Sequence, residues 1–329
     1  MAEIHRQLAL FGSDELKRQA ELIPDMRRRM RELNLIEAAS SVLGEISPED
    51  LAFQHSGLCQ TFLPHVRPAS NDLIWQRSAG RFHLMVSPGV IRDASGQAKR
   101  VGVPFGPRAR LIMIFLQSEG VKSRTVSMGK TMSAWIRSLN LPVTGGPRGT
   151  MQSVQDQALR IARCEFTMQW DAATKDGVQQ TIIKDQRLVS GMMWQGSDND
   201  HAGSWSSEVE LSREFHEALR EHAVPLPKDA IAFLQNNSLG LDLYALFAYR
   251  LPRLQRPLLL TWKMLATQTG SEAVRPSHLS QRCKKELPDV LAVYPHADVR
   301  HHRNGLMLHP SRPPVPKTMV NGFRLIADA

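Results

Sequence analysis

One tripeptide of this sequence has the residues of a nucleotide-binding loop. Gly129-Lys130-Thr131 matches the end of the pattern G-x-x-x-x-G-K-[ST], in which backbone N–H groups surround a phosphate and the lysine neutralises it. The first glycine of that pattern would fall at position 124, which is Arg124. We therefore predict that the tripeptide begins a helix and that the protein does not hydrolyse ATP.

Metal-dependent cleavage of DNA would need a His-apolar-His pair and a tyrosine nucleophile. His301 and His302 are adjacent, and each tyrosine lies among apolar residues, which favours packing: Tyr244, Tyr249 and Tyr294. The residues that could be imagined around zinc fit no standard ligand spacing: His278, Cys283, His296 and His309. We predict no enzyme activity, no catalytic residue, no metal and no cofactor. A metal-dependent nuclease stays a minor alternative, which magnesium- or manganese-dependent cleavage of supercoiled DNA would support.

The formal charge is concentrated in two separate blocks. Lys and Arg outnumber Asp and Glu by 41 to 32, a net charge of +9. Residues 81–190 hold 16 basic and 7 acidic side chains and residues 250–329 hold 13 and 5, whereas residues 191–249 hold 3 and 9. Concentrated positive charge favours a polyanionic partner. The layout predicts two modules that contact double-stranded DNA.

Cysteine usage and hydropathy indicate the compartment. Cys59, Cys164 and Cys283 are widely spaced, odd in number and without a CxxC pair, which excludes a disulfide framework and favours a reducing cytoplasm. The sequence has no apolar run of about 18 residues, and residues 1–10 have no signal-peptide core. We expect a cytoplasmic protein with no membrane partner.

The elements that would position a DNA-binding surface recur twice along the chain. Gly106 begins a helix through the apolar block 111–116, for which a buried strand is the alternative. The elements predicted after it are a strand at 124–128, a helix at 130–139, a glycine-rich turn at 144–147, a helix ending near Arg163, and strands at 164–170 and 179–189 joined by a turn at 174–177. This is the element order of a winged-helix domain.

The second copy follows an acidic connector, which contains a strand near 208–211 and a helix at 213–222. Its elements are helices at 238–254 and 262–268 around a strand at 257–261, a third helix from Pro276 past Leu287, and a hairpin of 297–303 and 306–309 with Asn304-Gly305 as its turn. Upstream of both copies we expect a helix at 13–43 kinked by Pro24, irregular chain at 47–80, a strand at 81–87 and a turn at 93–96.

We therefore predict an α+β fold of two tandem winged-helix domains, mostly helical, each with a β-hairpin wing, and a helical N-terminal extension. The predicted segments are the extension at 1–80, the first winged-helix domain at 81–190, the acidic connector at 191–228, the second winged-helix domain at 229–310 and a C-terminal tail at 311–329.

The third helix of each copy is the predicted recognition helix. The first has an apolar stripe at helical spacing, and its remaining polar residues are the predicted DNA contacts: Arg148, Gln152, Ser153, Arg160 and Arg163. The second packs through Leu279, Cys283, Leu287 and Val290, which leaves Ser277, His278, Gln281, Arg282, Lys284 and Lys285 for DNA. The alternative for either helix is an ordinary solvated cationic face.

The hairpin after the second recognition helix adds a cationic tip, from which Arg300 and Arg303 are predicted to reach a minor groove or the backbone. Pro288 should kink or interrupt that helix, because an interior proline costs about 3 kcal/mol. The part of the helix that reads DNA should therefore precede Pro288.

The sequence resembles the plasmid-encoded RepA replication initiators of bacteria. The resemblance is carried by collinear stretches: 102–111 (GVPFGPRARL) with the following FLQSE, 141–148 (LPVTGGPR), 239–244 (LGLDLY) with 249–251 (YRL), and 290–295 (VLAVYP) with the exit HPSRPP. They span roughly residues 80–315. Pro288 departs from the family, whose members keep a helix-favouring residue there.

The resemblance implies a winged-helix initiator associated with the bacterial nucleoid or its plasmid. Such a protein binds repeated sites at the plasmid origin, helps to open the duplex, recruits a host helicase or initiator, represses its own promoter and acts in copy control, commonly as a homodimer. The alternative is a winged-helix transcriptional repressor without initiator activity.

Overall fold

The computed structural model describes residues 3–93, 95–173, 179–194, 205–270 and 275–316. The chain mixes helices and strands, in agreement with the predicted α+β class. It divides into two compact units. The terminal unit comprises Met1–Ala52, Val224–Ala266 and Ser271–Ala329, and the central unit comprises Phe53–Ala223 and Thr267–Gly270.

The helices in chain order are α1 (Glu3–Phe11), α2 (Ser13–Glu21), α3 (Met26–Ser41), α4 (Gly106–Gly120), α5 (Met132–Ser138), α6 (Thr150–Arg163), α7 (Arg213–His222), α8 (Lys228–Leu234), α9 (Ser238–Arg250), α10 (Trp262–Thr269) and α11 (Pro276–Ala292). Short 3-10 helices cover Pro48–Asp50 and Leu251–Arg253.

The strands are β1 (Leu51–His55), β2 (Trp75–Ala79), β3 (Phe82–Ser87), β4 (Val90–Arg92), β5 (Ala98–Arg100), β6 (Thr125–Ser127), β7 (Glu165–Ala173), β8 (Gln179–Arg187), β9 (Val189–Trp194), β10 (Trp205–Leu211), β11 (Ala223–Pro227), β12 (Leu258–Thr261), β13 (Val299–His302) and β14 (Gly305–Leu308).

In the central unit, the helix-strand-helix-helix-strand-strand order of α4, β6, α5, α6, β7 and β8 agrees with the sequence prediction. The apolar block 111–116 is helical, so the alternative of a buried strand is wrong. Thr131 caps α5 by accepting a 3.1 Å hydrogen bond from the Ala134 N–H, as a helix start at Gly129-Lys130-Thr131 requires.

Two antiparallel sheets lie around these helices. One has the strand order β2-β3-β7-β8 and the other β6-β10-β9. The expectation of irregular chain at 47–80 is wrong at the 3-10 helix Pro48–Asp50 and at β1 and β2. In β2 only Trp75 and Ala79 at the ends of the strand are buried, so the polar residues between them hide the usual alternation. Likewise β10 and α7, from the predicted acidic connector, belong to this unit, where Phe215 and Leu219 are buried.

In the terminal unit, α9, β12, α10, α11, β13 and β14 repeat the same order, and the strands form one antiparallel sheet in the order β12-β14-β13. The hairpin turn is displaced by one residue from its predicted position. His302 pairs with Gly305, so Arg303 and Asn304 form the loop. A glycine is needed at 305 because a Cβ there would overlap the Leu260 carbonyl oxygen of β12.

The N-terminal helices pack on the end of α11. Their buried core includes Ile4, Leu16 and Ile36 together with Ala292. The predicted single helix at 13–43 is two helices, because the chain breaks at Pro24 and restarts at Asp25, whose carboxylate caps the Arg28 N–H at 2.7 Å.

The predicted interruption at Pro288 is wrong, because α11 continues to Ala292. Proline removes the N–H that would bond the carbonyl of Lys284. Pro288 is exposed, so water can solvate that carbonyl at little cost.

Candidate nucleic-acid interface

The helix α11 separates its side chains as its sequence predicts. Leu279, Cys283, Leu287 and Val290 are buried. Burial raises the pKa of Cys283 to about 12, so this thiol stays protonated and serves packing. The predicted DNA-contacting residues of this helix are all exposed: Ser277, His278, Gln281, Arg282, Lys284 and Lys285. Within this face, Lys285 pairs with Glu286 at 3.7 Å, and the Lys285 side chain is still largely exposed.

The hairpin of β13 and β14 carries the second set of predicted residues. Arg300 is exposed, and its Nε and Nη2 atoms each donate to the Asp298 carboxylate at 3.0 Å. These hydrogen bonds hold the pKa of Asp298 below its usual value. The Asp298 carboxylate therefore fixes the position of the Arg300 guanidinium and partly neutralises its charge. Arg303 is exposed in the hairpin loop.

Three contacts join this hairpin to the helices α10 and α11. The Trp262 indole N–H donates to the Arg303 carbonyl oxygen at 2.8 Å, and the Trp262 and His301 rings lie 5.3 Å apart. His301 Nε2 lies 2.9 Å from the Ser280 hydroxyl of α11. The hairpin and α11 are thereby held together, and the exposed cations of both form one surface, which we call the α11–hairpin surface.

The contacts of Ser280 and His301 were not predicted from the sequence. Ser280 could have been suspected from the sequence, because it directly precedes the predicted contact Gln281. Its pairing with His301 is known only from the fold. Arg275 is a further cation next to the predicted set. It is exposed immediately before α11, where unpaired backbone N–H groups of a helix N-terminus favour an anion.

The helix α6 presents a smaller polar surface in the central unit. Gln152 and Ser153 are exposed in its first turn, Arg148 is exposed in the preceding loop, and Arg163 is exposed at its end. The loop is fixed by Thr144, whose hydroxyl accepts from the Thr150 N–H at 2.9 Å. These four predicted side chains are therefore accessible.

The predicted outward position of Arg160 is wrong. This side chain is 3% exposed, and its Nε donates to the Asp156 carboxylate at 2.9 Å. Its Nη1 donates to the Val103 carbonyl oxygen at 3.3 Å, and the guanidinium lies 5.1 Å from the Phe105 ring. Periodicity places Arg160 at the edge of the apolar stripe, but the chain that leads into α4 covers it. The buried Arg160 side chain therefore links α6 to the segment before α4.

The strands after α6 form the predicted hairpin, since β7 and β8 pair antiparallel from Glu165 with Arg187 to Ala173 with Gln179. The predicted turn at 174–177 lies outside the described residues.

Other kinds of site find no support in the described part of the chain. There, no group of three His, Cys, Asp or Glu side chains could hold a metal ion. None of the described helices is long and apolar enough to cross a membrane.

Part of this chain matches a protein-family model. Residues 103–263 match the family model RepA_C, plasmid encoded RepA protein. The predicted resemblance to RepA is confirmed over this segment. The RepA segment covers just under half of the chain and extends from the residues before α4 into α10.

Two solved structures are similar to this chain at 10% sequence identity. A selenomethionine derivative of domains 2 and 3 of RctB has a TM-score of 0.48 and covers 79% of this chain and 99% of that chain. A second crystal structure of RctB domains 2–3 has a TM-score of 0.42, with coverages of 76% and 94%. No curated protein matches the sequence.

Proposed function

We propose that this protein is a plasmid replication initiator that binds double-stranded DNA through two winged-helix units. The observation that carries the proposal is the α11–hairpin surface, where a helix with an exposed cationic face is held beside a cationic hairpin. This surface follows the segment 103–263 that matches the RepA family model, and that match elsewhere in the chain favours an origin as the target.

In the terminal unit, the first half of α11 would enter the major groove. A helix fits this groove, where Gln281, Lys284 and Lys285 carry donors that can reach base edges or phosphates. Arg300 and Arg303 on the hairpin would contact the backbone or the minor groove beside it. Ser277, His278 and Arg282 complete the proposed contact set.

In the central unit, α6 would contact a second segment of duplex. Arg148, Gln152, Ser153 and Arg163 are the proposed contacts, and Arg160 is left out because it is buried. The first winged-helix domain then lies within 81–190 and the second within 229–310, with the residues between them supplying β10 and α7 to the central unit.

The proposed activity is binding rather than catalysis, without a metal or cofactor. The protein would bind repeated sites at the plasmid origin, help to open the duplex and recruit a host helicase or initiator. Binding near its own promoter would also repress transcription and set copy number, with a homodimer as one form. We expect it in the bacterial cytoplasm on its plasmid.

The first experiment compares binding to DNA from upstream of the gene with binding to scrambled DNA of equal length, at several salt concentrations. Salt-sensitive, sequence-selective binding in a ladder of complexes is the expected result, because repeated sites fill one after another. Equal and weak binding to both DNAs would contradict the choice of target or of surface.

The second candidate is a transcriptional repressor, which would use the same surfaces. The two differ in what DNA binding achieves. An initiator supports replication of a circle that carries the origin and a selectable marker, whereas a repressor silences a reporter and leaves that circle unreplicated. A single complex on the upstream DNA, together with failure to replicate, would favour the repressor.

A further inference from the structure

A two-stranded hairpin projects from the central unit between β3 and α4. The strands β4 and β5 pair antiparallel from Val90 with Arg100 to Arg92 with Ala98. We call the described residues of this hairpin, 88–93 and 95–101, the β4–β5 arm. Every residue of β5 is exposed, as are both ends of β4, so the two strands do not cover the core, whereas Val101 at the base of the arm is buried in it.

The arm carries cations on both of its faces. Ile91 pairs with Lys99 and Arg92 with Ala98, so the alternation of a strand places Lys99 and Arg92 on opposite faces. Both side chains are exposed, and neither has an ion pair within 4 Å in the described part of the chain, although Lys99 is near enough to Asp93 to help lower the pKa of that carboxyl. A narrow ribbon with a cation on each face suits a groove whose two walls are lined with phosphate.

The acidic side chains in and beside the arm, Asp93 and Asp72, already have hydrogen-bond or ion-pair partners. Asp93 at the turn accepts hydrogen bonds from the Ser95 and Gln97 N–H groups at 2.9 and 3.0 Å. Asp72 pairs with Arg100 at 3.2 Å, where that arginine braces the base of the arm. Arg92 and Lys99 therefore remain available to an external anion.

The base of the arm is fastened to the end of α6. Arg163 Nη2 donates to the Val90 carbonyl oxygen at 2.6 Å, and the Val101 N–H donates to the Gly89 carbonyl oxygen at 3.1 Å. Gly89 lies so close to Arg163 that a Cβ would overlap the arginine carbonyl oxygen. The arm thus has a fixed place beside one of the proposed DNA contacts.

We propose that the β4–β5 arm is an additional DNA-binding element that grips phosphates flanking the site contacted by α6. This inference rests on the proposed function, because it extends the DNA surface of the central unit. Arg92 and Lys99 on the two faces of the arm, together with Arg163 at its base, are the cations that we assign to this contact.

The length of α6 sets the approximate distance between the arm and the first turn of that helix. Gln152 and Arg163 are eleven residues apart, which at about 1.5 Å per residue is roughly 16 Å. Duplex DNA rises about 3.4 Å per base pair on each strand, so with α6 lying along the DNA axis the base of the arm would be about five base pairs from the first turn of α6. A phosphate contact there carries no direct sequence information. The arm should strengthen binding to specific and scrambled DNA alike.

The test compares the wild type with the double variant Arg92→Gln/Lys99→Gln. The matched control is Lys122→Gln/Arg213→Gln, which removes two exposed charges of the same unit that take part in local helix pairs. Dissociation constants are measured by fluorescence anisotropy on the upstream duplex and on scrambled DNA, at salt concentrations from 50 to 200 mM. Thermal unfolding checks that all variants fold.

Losing two phosphate contacts should flatten the plot of log K against log salt by about 1.8 units for the arm variant. The wild-type advantage should then be about 12-fold larger at 50 mM than at 200 mM salt, with both DNAs. In a second measurement, neutral methylphosphonates at flanking positions should weaken binding of the wild type but not weaken the arm variant further.

An arm variant with the control's salt slope and methylphosphonate pattern would overturn the arm proposal while leaving DNA binding itself intact. Failure of the wild type to bind DNA would instead overturn the proposed function. Loss of sequence selectivity without a change of slope would also contradict a phosphate-gripping arm.

Discussion

Replacing Arg160 with glutamine separates an internal brace from a DNA contact. The structure places this arginine inside the central unit, bonded to Asp156 and to the Val103 carbonyl. Hydrogen bonds to charged groups contribute about 1.5–3 kcal/mol each to stability. Asp156 is 40% exposed, so water can solvate its carboxylate once the arginine is gone, which keeps the loss below that of a fully buried pair.

We therefore expect Arg160→Gln to lower the free energy of unfolding of the central unit by about 2–3 kcal/mol. For a unit of this size, each 1 kcal/mol shifts Tm by roughly 2–4 °C, so Tm should fall by about 4–12 °C. Circular dichroism during heating measures the shift. DNA binding well below Tm should be close to that of the wild type.

The matched variant is Arg163→Gln, three residues along the same helix. Its exposed side chain makes one hydrogen bond to a backbone carbonyl, so the stability loss should be about 1 kcal/mol or less. Its DNA affinity should fall, with a salt slope reduced by about 0.9. The reasoning is refuted by an Arg160→Gln variant that unfolds at the wild-type temperature and binds DNA poorly.

Three further predictions concern packing and titration. Gly305→Ala should destabilise the terminal unit by about 1–3 kcal/mol because its Cβ overlaps the Leu260 carbonyl; urea unfolding measures this, and an unchanged midpoint would contradict the strand contact. The thiols of Cys164 and Cys283, whose pKa values burial raises to about 11 and about 12, should react with a disulfide reagent at pH 8 only after denaturation; rapid native labelling would contradict their burial. Burial lowers the pKa of His5 below 6.5, so the unfolded chain binds the proton more tightly and stability should fall as the pH drops through about 6.5. The loss from this group between pH 7.5 and 5.5 is at most about 1.4 kcal/mol, and a His5→Gln variant that keeps the full pH dependence in urea unfolding would exclude His5 as its source.

The elements of both units could be predicted because their patterns are local. The apolar stripe of α11 and the capping residue of α5 fix helix faces and ends within a few residues of chain. The exposed residues of α11 follow from that stripe alone. The same reasoning failed at Arg160, because the segment that covers this side chain lies over fifty residues away in sequence.

Long-range pairing explains the other errors. Nothing local marks β10 as a partner of β6, since the two strands are separated by more than seventy residues. The position of Gly305 is likewise set by the backbone of β12 and not by turn chemistry, so the Asn-Gly signal placed the loop one residue late. The β4–β5 arm was visible only as a turn, because three-residue strands give no periodicity.

The two units differ in which strand pairs with the hairpin that follows their third helix. In the terminal unit, β12 pairs with β14, so the hairpin lies in the same sheet as the strand after the first helix. In the central unit, β6 pairs with β10 instead, and the hairpin of β7 and β8 joins β3 and β2. The terminal hairpin also contacts α11 through His301 and Ser280, while the exposed cations of the central unit are distributed among α6, the preceding loop and the arm.

A concentrated and rigid surface suits base reading, because donors must meet base edges with fixed geometry, whereas dispersed cations suit the phosphate backbone. We therefore expect Lys284→Glu/Lys285→Glu in the terminal unit to reduce the ratio of specific to scrambled binding. Arg148→Glu/Arg163→Glu in the central unit should weaken binding to both DNAs by a similar factor. Anisotropy titrations at one salt concentration measure both ratios. An equal loss of selectivity from the two variants would mean that both recognition helices read bases, despite the different sheets behind them.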